Sequence, residues 1–247
     1  MKLRTFLIPI MAAVVTLSSI SAAAMTVQPV VLNLSPAGRA MAQVVTVTNT
    51  FTYPLAVELR AEELVVDADG IRSIGTESSD LLVFPPQALI QPGQTQSFRI
   101  QYVGEPDLAQ SKHYYVTVAQ LPVELPQGQS AVQILYNFQV LVSIAPQGVT
   151  PSITVQTAAI DRGDDGIFKP VVTFSNSSAA HGFLSDGRVR IVQRDSFGRE
   201  IFSRTLSAPE VQQAIGYGLI GALQSRRVTF PVELPSDSGT IEATFTP

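Results

Sequence analysis

From Val132 to Ile144 every second residue is large and apolar: Val132, Ile134, Tyr136, Phe138, Val140, Val142 and Ile144. Between them stand Gln133, Leu135, Asn137, Gln139, Leu141 and Ser143. Successive side chains along a strand point to opposite faces, so a period of two gathers the whole apolar set on one side. At about 3.3 Å per residue such a strand runs roughly 40 Å, against about 17–20 Å for a typical one. Nothing between Ala131 and Ala145 is charged, and the stretch holds no proline or glycine. A long apolar strand without such guards aggregates unless something covers it. One reading is a long core strand of a sandwich. The other is a strand that outruns its own core and offers apolar side chains to another chain, by strand addition.

The same period recurs on both sides of this run. Val27–Leu34, Gln43–Asn49, Leu55–Val66, Leu81–Phe84, Thr95–Val103 and Lys112–Leu121 read as strands, separated by turns at Ser35-Pro36-Ala37-Gly38, Asp67-Ala68-Asp69-Gly70 and Gln91-Pro92-Gly93. Pro146-Gln147-Gly148-Val149-Thr150-Pro151 is the best linker in the chain. Beyond it, Ile153–Ile160, Ile167–Ser175, Val189–Arg194, Glu200–Leu206, Arg226–Leu234 and Ile241–Thr246 read as strands, with Asp195-Ser196-Phe197-Gly198 closing a hairpin. Ser207 with Glu210 has the spacing of a capping box for a short helix over Val211–Ile215. Many short strands with almost no helical period predict an all-β chain of two β-sandwiches, 25–146 and 151–247, joined by the Pro/Gly linker.

The first 24 residues carry a different pattern. Lys2 and Arg4 precede an apolar stretch from Phe6 to Ile20, and Ala22-Ala23-Ala24 offers a small-residue cleavage site. This reads as a secretory signal peptide spanning 1–24. No later stretch reaches the ~18–20 apolar residues of a span, so no membrane insertion is expected. Without Lys2 and Arg4, the 16 basic residues fall to 14 against 20 acidic ones. That balance, with no broad basic cluster, points away from nucleic acid. The chain has no cysteine, which excludes disulfide staples, thiolate metal sites and a cysteine nucleophile.

Catalytic chemistry finds no foothold. His113 and His181 are the only histidines and stand on opposite sides of the linker. His113, at the start of a strand, reads as an ordinary surface or boundary residue. There is no nucleophile elbow, metal-spaced histidine pair or phosphate loop. Asp161, Asp164 and Asp165 with Gly163 and Gly166 lack the distal glutamate of a calcium loop and read as a polar hairpin. The expectation is a protein that is no enzyme and uses no cofactor or metal.

Several features taken in order resemble a known family. Val83-Phe84-Pro85-Pro86 is followed by Leu89, Pro92-Gly93, Gln96 and Arg99; Tyr115–Leu121 ends at Pro122; the long alternating strand runs into Pro146. Behind a signal peptide and ahead of a second sandwich, this series resembles the periplasmic chaperones of the chaperone–usher pathway, which assemble pili. The resemblance covers the first sandwich well and the second by size and strand pattern. It implies two immunoglobulin-like domains, a periplasmic location, pilin-like subunits lacking a strand as partners, and an outer-membrane usher that receives them. It implies that Val132, Ile134, Tyr136 and Phe138, with Val140 as a further candidate, enter the subunit's groove. Self-association of the free protein is left open. The rival reading is a secreted structural or adhesive immunoglobulin-like module without a client, since a sandwich alone decides nothing about function.

Two positions depart from the family pattern. The family carries an arginine in its first strand and a lysine in the donor strand, which together hold the subunit's terminal carboxylate. The corresponding cleft positions here are Leu32, or a near neighbour, and Leu141, and nothing basic lies between Met25 and Leu34. The resemblance therefore implies that this charge clamp is missing, with Lys112 and Arg39 as candidate substitutes.

Overall fold

The computed structural model describes residues 25–122, 134–163 and 166–247. The predicted signal peptide, Val132, Asp164 and Asp165 lie outside the described residues.

The first sandwich is built from β1 (Met25–Gln28), β2 (Val31–Leu34), β3 (Ala42–Asn49), β4 (Leu55–Val66), β5 (Ile71–Glu77), β6 (Leu81–Phe84), β7 (Gln87–Ile90), β8 (Thr95–Tyr102), β9 (Lys112–Gln120) and β10 (Asn137–Ile144). One sheet runs β1-β3-β8-β6 and the other β2-β10-β9-β4-β5, with β7 also pairing β4. Alternation decides which side chains meet between the sheets. Val45 and Val47 of β3, Phe98 and Ile100 of β8, Val57 and Leu59 of β4, Val116 and Val118 of β9, and Val140, Val142 and Ile144 of β10 share one buried cluster. The expected strand Val27–Leu34 is split at Pro29, where the missing N–H interrupts the ladder. Its first half joins one sheet and its second half the other, so the segment laces the two layers together.

The second sandwich contains β11 (Ile153–Arg162), β12 (Phe168–Asn176), β13 (Gly182–Phe183), β14 (Arg188–Arg194), β15 (Glu200–Leu206), the helix α1 (Ala208–Ile215), β16 (Leu219–Ile220), β17 (Ser225–Thr229) and β18 (Thr240–Thr246). Its sheets run β11-β12-β17 and β15-β14-β18, with β13 and β16 forming a small pair. Val172, Phe174, Val189, Ile191, Leu206 and Phe230 form the core, and Val211 of α1 plugs into it. The capping box is present: the Ser207 N–H donates to Glu210 Oε2 at 2.8 Å. Both architecture and class agree with the sequence pattern: among the described residues the regular structure is nearly all strand with one short α-helix, arranged as two β-sandwiches.

A third apolar cluster lies between the sandwiches. Leu64 and Val66 of β4 and Leu141 of β10 meet Phe183 and Leu219 of the second sandwich, with Val31, Tyr115 and Tyr217 packed around them. Leu141 is on the face opposite to Val140 and Val142, so the last strand of the first sandwich supplies its own core with one face and the interdomain contact with the other.

Candidate functional site

The long alternating run divides into two unlike halves. β10 pairs with β9 along its full length, Asn137 opposite Ala119 through Ile144 opposite Lys112. On its other side β2 runs parallel to it but covers only Leu141–Ile144. Among the described residues, the outer edge from Asn137 to Val140 has no strand beside it, and its backbone groups face outward ready to pair.

The strand also begins later than the sequence pattern predicts. Alternation extends it back to Val132, yet regular pairing starts at Asn137. The partner runs out: β9 ends at Gln120, the Leu121 N–H turns to the Ala56 carbonyl at 2.9 Å, and Pro122 has no N–H to give. Two further links survive, from the Gln120 N–H to the Tyr136 carbonyl at 3.0 Å and from the Tyr136 N–H to Gln120 Oε1 at 3.3 Å. Here Ile134 and Tyr136 are left in water, 63% and 41% exposed.

Burial sorts the expected donor residues along this segment. Ile134 and Tyr136 are exposed; Phe138 is half-buried against the first core; Val140 is fully buried within it. Val140 has no side chain to offer outward, because its strand has by then entered the space between its own sheets, and it is withdrawn from the candidate set. Tyr136 rests on an aromatic pair. Phe51 and Tyr53 stack at 4.9 Å between centroids, and the Tyr136 ring lies 6.4 Å from that of Phe51. The buried Asn49 fixes the loop carrying these rings, its Nδ2 donating to the carbonyls of Tyr53 and Ile90 at 2.9 Å each and its Oδ1 accepting from the Phe51 N–H. Tyr53 is 43% exposed, so the apolar surface around Ile134 and Tyr136 continues onto it.

The cleft positions also sort by burial. Leu32 points into the first core, 1% exposed. Its neighbour Val31 is the residue that pairs with Leu141 and packs into the interdomain cluster. Neither of the substitute cations named above reaches this place. Lys112 Nζ is paired with Asp80 Oδ2 at 2.9 Å, and Arg39 lies exposed in a 3-10 turn.

A different cation does, and it comes from the second sandwich. Arg226, at the start of β17, lines a cavity of about 260 Å³ with Val31, Tyr115, Leu141, Tyr217 and Leu219. Its Nη1 donates to the Leu219 carbonyl at 2.8 Å, while Nε is buried without a partner. Burial lowers its pKa, and the only opposing influence is the Tyr115 hydroxyl. Among the described residues no carboxylate pairs with this guanidinium. Arg226 and Arg227 are adjacent in the chain, and no local signal in the sequence says that one of them turns inward toward β10.

The histidines decide between the surface and boundary readings of His113. His113 is 5% exposed and His181 is 6% exposed. Their rings meet edge to face at 5.1 Å across the domain boundary, so His113 is an interface residue rather than a surface one. Among the described residues no group of three or more His, Asp and Glu side chains is arranged to hold a metal.

Residues 24–150 match the pili and flagellar-assembly chaperone family, over its PapD N-terminal domain. No curated protein sequence matches the chain. Among solved structures, the fold is similar to that of CfaA, a class 5 fimbriae chaperone, at TM-score 0.53 and 11% identity, covering 91% of this chain and 100% of that one. It is similar to a chain of the Salmonella enterica SafA pilin–SafB chaperone complex, at TM-score 0.52 and 12% identity, covering 92% and 97%. It is also similar to a chain of the CsuC–CsuE chaperone–tip adhesion subunit pre-assembly complex of Acinetobacter baumannii, at TM-score 0.51 and 13% identity, covering 90% and 98%.

Proposed function

Because the chain belongs to the pili and flagellar-assembly chaperone family, whose members are chaperones and not enzymes, we propose that it captures pilin-like subunits by lending them a strand. The observation that carries this reading is the exposed pair Ile134 and Tyr136, followed by half-buried Phe138, on the segment that leads into the open edge of β10. A subunit that lacks a strand has an unpaired sheet edge and an uncovered core. Pairing along Asn137–Val140 satisfies the edge, and the alternate side chains of Ile134, Tyr136 and Phe138 enter the core. At ~25 cal/mol per Å2, with on the order of 100 Å2 of apolar area each, every such side chain contributes about 2.5 kcal/mol before ordering costs. Val132, outside the described residues, joins the proposed set on the sequence alternation alone.

The reading assigns the protein to the periplasm, with residues 1–24 as its export signal, and to delivery of subunits to an outer-membrane usher. In the cleft, Arg226 is the charge that a subunit's terminal carboxylate meets. It replaces the basic residues that positions Val31 and Leu141 lack, and it reaches the same place from the second sandwich.

Co-expression of the exported protein with a strand-deficient immunoglobulin-like subunit tests the proposal. The expected result is a soluble 1:1 complex that survives gel filtration. A protein that elutes alone while the subunit aggregates would favour a structural module without a client.

A further inference from the structure

The contact between the two sandwiches is apolar at Leu141 and polar only a short way along β9. There, the Ser111 N–H donates to the Ala179 carbonyl at 3.0 Å, and the His181 N–H donates to Ser111 Oγ at 2.9 Å. The His181 ring fills the gap between the domains. Nδ1 lies 2.9 Å from Ser111 Oγ and Nε2 lies 3.2 Å from Asn33 Oδ1, both on the first sandwich. The Asn33 oxygen can only accept, so Nε2 carries the proton and Nδ1 accepts from the serine hydroxyl. His181 thus contacts two first-sandwich residues at once, and burial in the gap keeps its ring neutral.

His113 completes the arrangement from the other side. Its Nδ1 lies 2.9 Å from Ser143 Oγ of β10, its ring abuts that of His181, and its Nε2 is buried without a partner. Phe183 closes the far side of His181, with ring centroids 5.3 Å apart. These are the only two histidines of the chain, and the fold has brought them from opposite sides of the linker into one contact.

We propose that His113 and His181 form an acid-sensitive latch between the sandwiches, closed while both rings are neutral and released when they are protonated. Two imidazolium ions placed edge to face in a buried contact repel each other, and neither has an anion to answer it. The charged groups nearby leave that conclusion standing. Glu63 of β4 and Glu105 line the crevice beside His113 together with Lys112, but neither ring bonds a carboxylate among the described residues. Lys112 is already paired with Asp80. Asp186, in the turn after Phe183, has its own pKa raised by burial. β2 presents Asn33 to His181 and β10 presents Ser143 to His113, and neither of these is an anion.

The sign follows from burial. Desolvation, with the neighbouring His181 adding to it, lowers His113 from 6.5 to about 3, and desolvation lowers His181 from 6.5 to about 4. An opened, hydrated interface returns both to their ordinary value. Above pH 6.5 the two states bind protons equally. Below it the opened state binds more, and each histidine shifts the equilibrium toward opening by about tenfold per pH unit until its own closed-state pKa is reached. The latch concerns the domain contact and holds whether or not a subunit is bound.

The cysteine-free chain allows a direct test. Cysteines introduced as Gln91→Cys and Phe197→Cys, one on each sandwich at exposed positions, carry spin labels whose separation is measured from pH 7.5 to 3, with far-UV circular dichroism alongside. The expected result is one narrow distance at neutral pH that broadens below about pH 5 while the strand signal persists. The double variant His113→Gln/His181→Gln should lose that acid dependence, whether its interface rests closed or open. A wild type that keeps its narrow distance to pH 3 would overturn the proposal. So would acid broadening that is the same in the double variant, or loss of strand signal together with the distance change.

Discussion

The two halves of the 134–144 segment have the same sequence pattern and opposite fates. Val140, Val142 and Ile144 are wholly buried between the sheets of their own sandwich, while Ile134 and Tyr136 are in water. Phe138 stands between the two conditions. What separates them is what lies alongside. The later half has β9 on one side and β2 on the other, and the earlier half outlives both. An alternating pattern therefore specifies which face a side chain takes, and the neighbouring strands decide whether that face is filled by the same molecule.

The contrast can be broken from either end. The largest effect belongs to the enclosed half. Val142→Asp buries an unpaired carboxylate in a fully enclosed site, which costs more than about 4 kcal/mol, and the first sandwich should fail to fold, read as loss of the cooperative thermal transition. Ile134→Asp, identical in chemistry on the same face, should leave the melting temperature within about 2 °C of the parent. It should instead weaken subunit capture by at least about 100-fold in a pull-down titration, since one charged group in the subunit's core costs about 3 kcal/mol or more. Equal unfolding by both substitutions would erase the distinction between the halves.

The smallest effect sharpens the picture at the cleft, on the opposite face of the enclosed half. Arg226→Gln keeps a donor near the Leu219 carbonyl while removing the charge. A charge-assisted bond to a subunit's terminal carboxylate contributes about 1.4 kcal/mol more than a neutral one, so affinity should fall about tenfold. Amidating the subunit's last residue should cost the same factor with the parent protein and nothing further with the variant, in calorimetric titrations of both. Independent losses from the two changes would place the carboxylate elsewhere.

Much of this architecture is written locally. Strands such as Leu55–Val66 and Lys112–Gln120 declare themselves because one face is buried, and alternation is the trace of that burial. β5 escapes the same reading since almost every residue from Ile71 to Glu77 is exposed and carries no alternation. β7 escapes it because Pro85-Pro86 reads as an end, whereas pairing resumes at Gln87 on the edge of β4. The residues that join the sandwiches were the least legible. His113 and His181 are 68 positions apart and carry no shared spacing. Arg226 sits beside an outward-facing Arg227 with nothing in composition to tell them apart. Long-range contacts of this kind are set by how two finished sandwiches pack, and a single sequence read along its length does not register them.

β2 carries one more implication. It occupies the flank of β10 from Leu141 onward and runs parallel to it. Any visiting strand that slides along the same flank must halt where β2 begins, because the ladder positions beyond are taken. An end-stop of this sort fixes by collision how far a visiting strand can advance, and it does so at the residue beside which Arg226 stands.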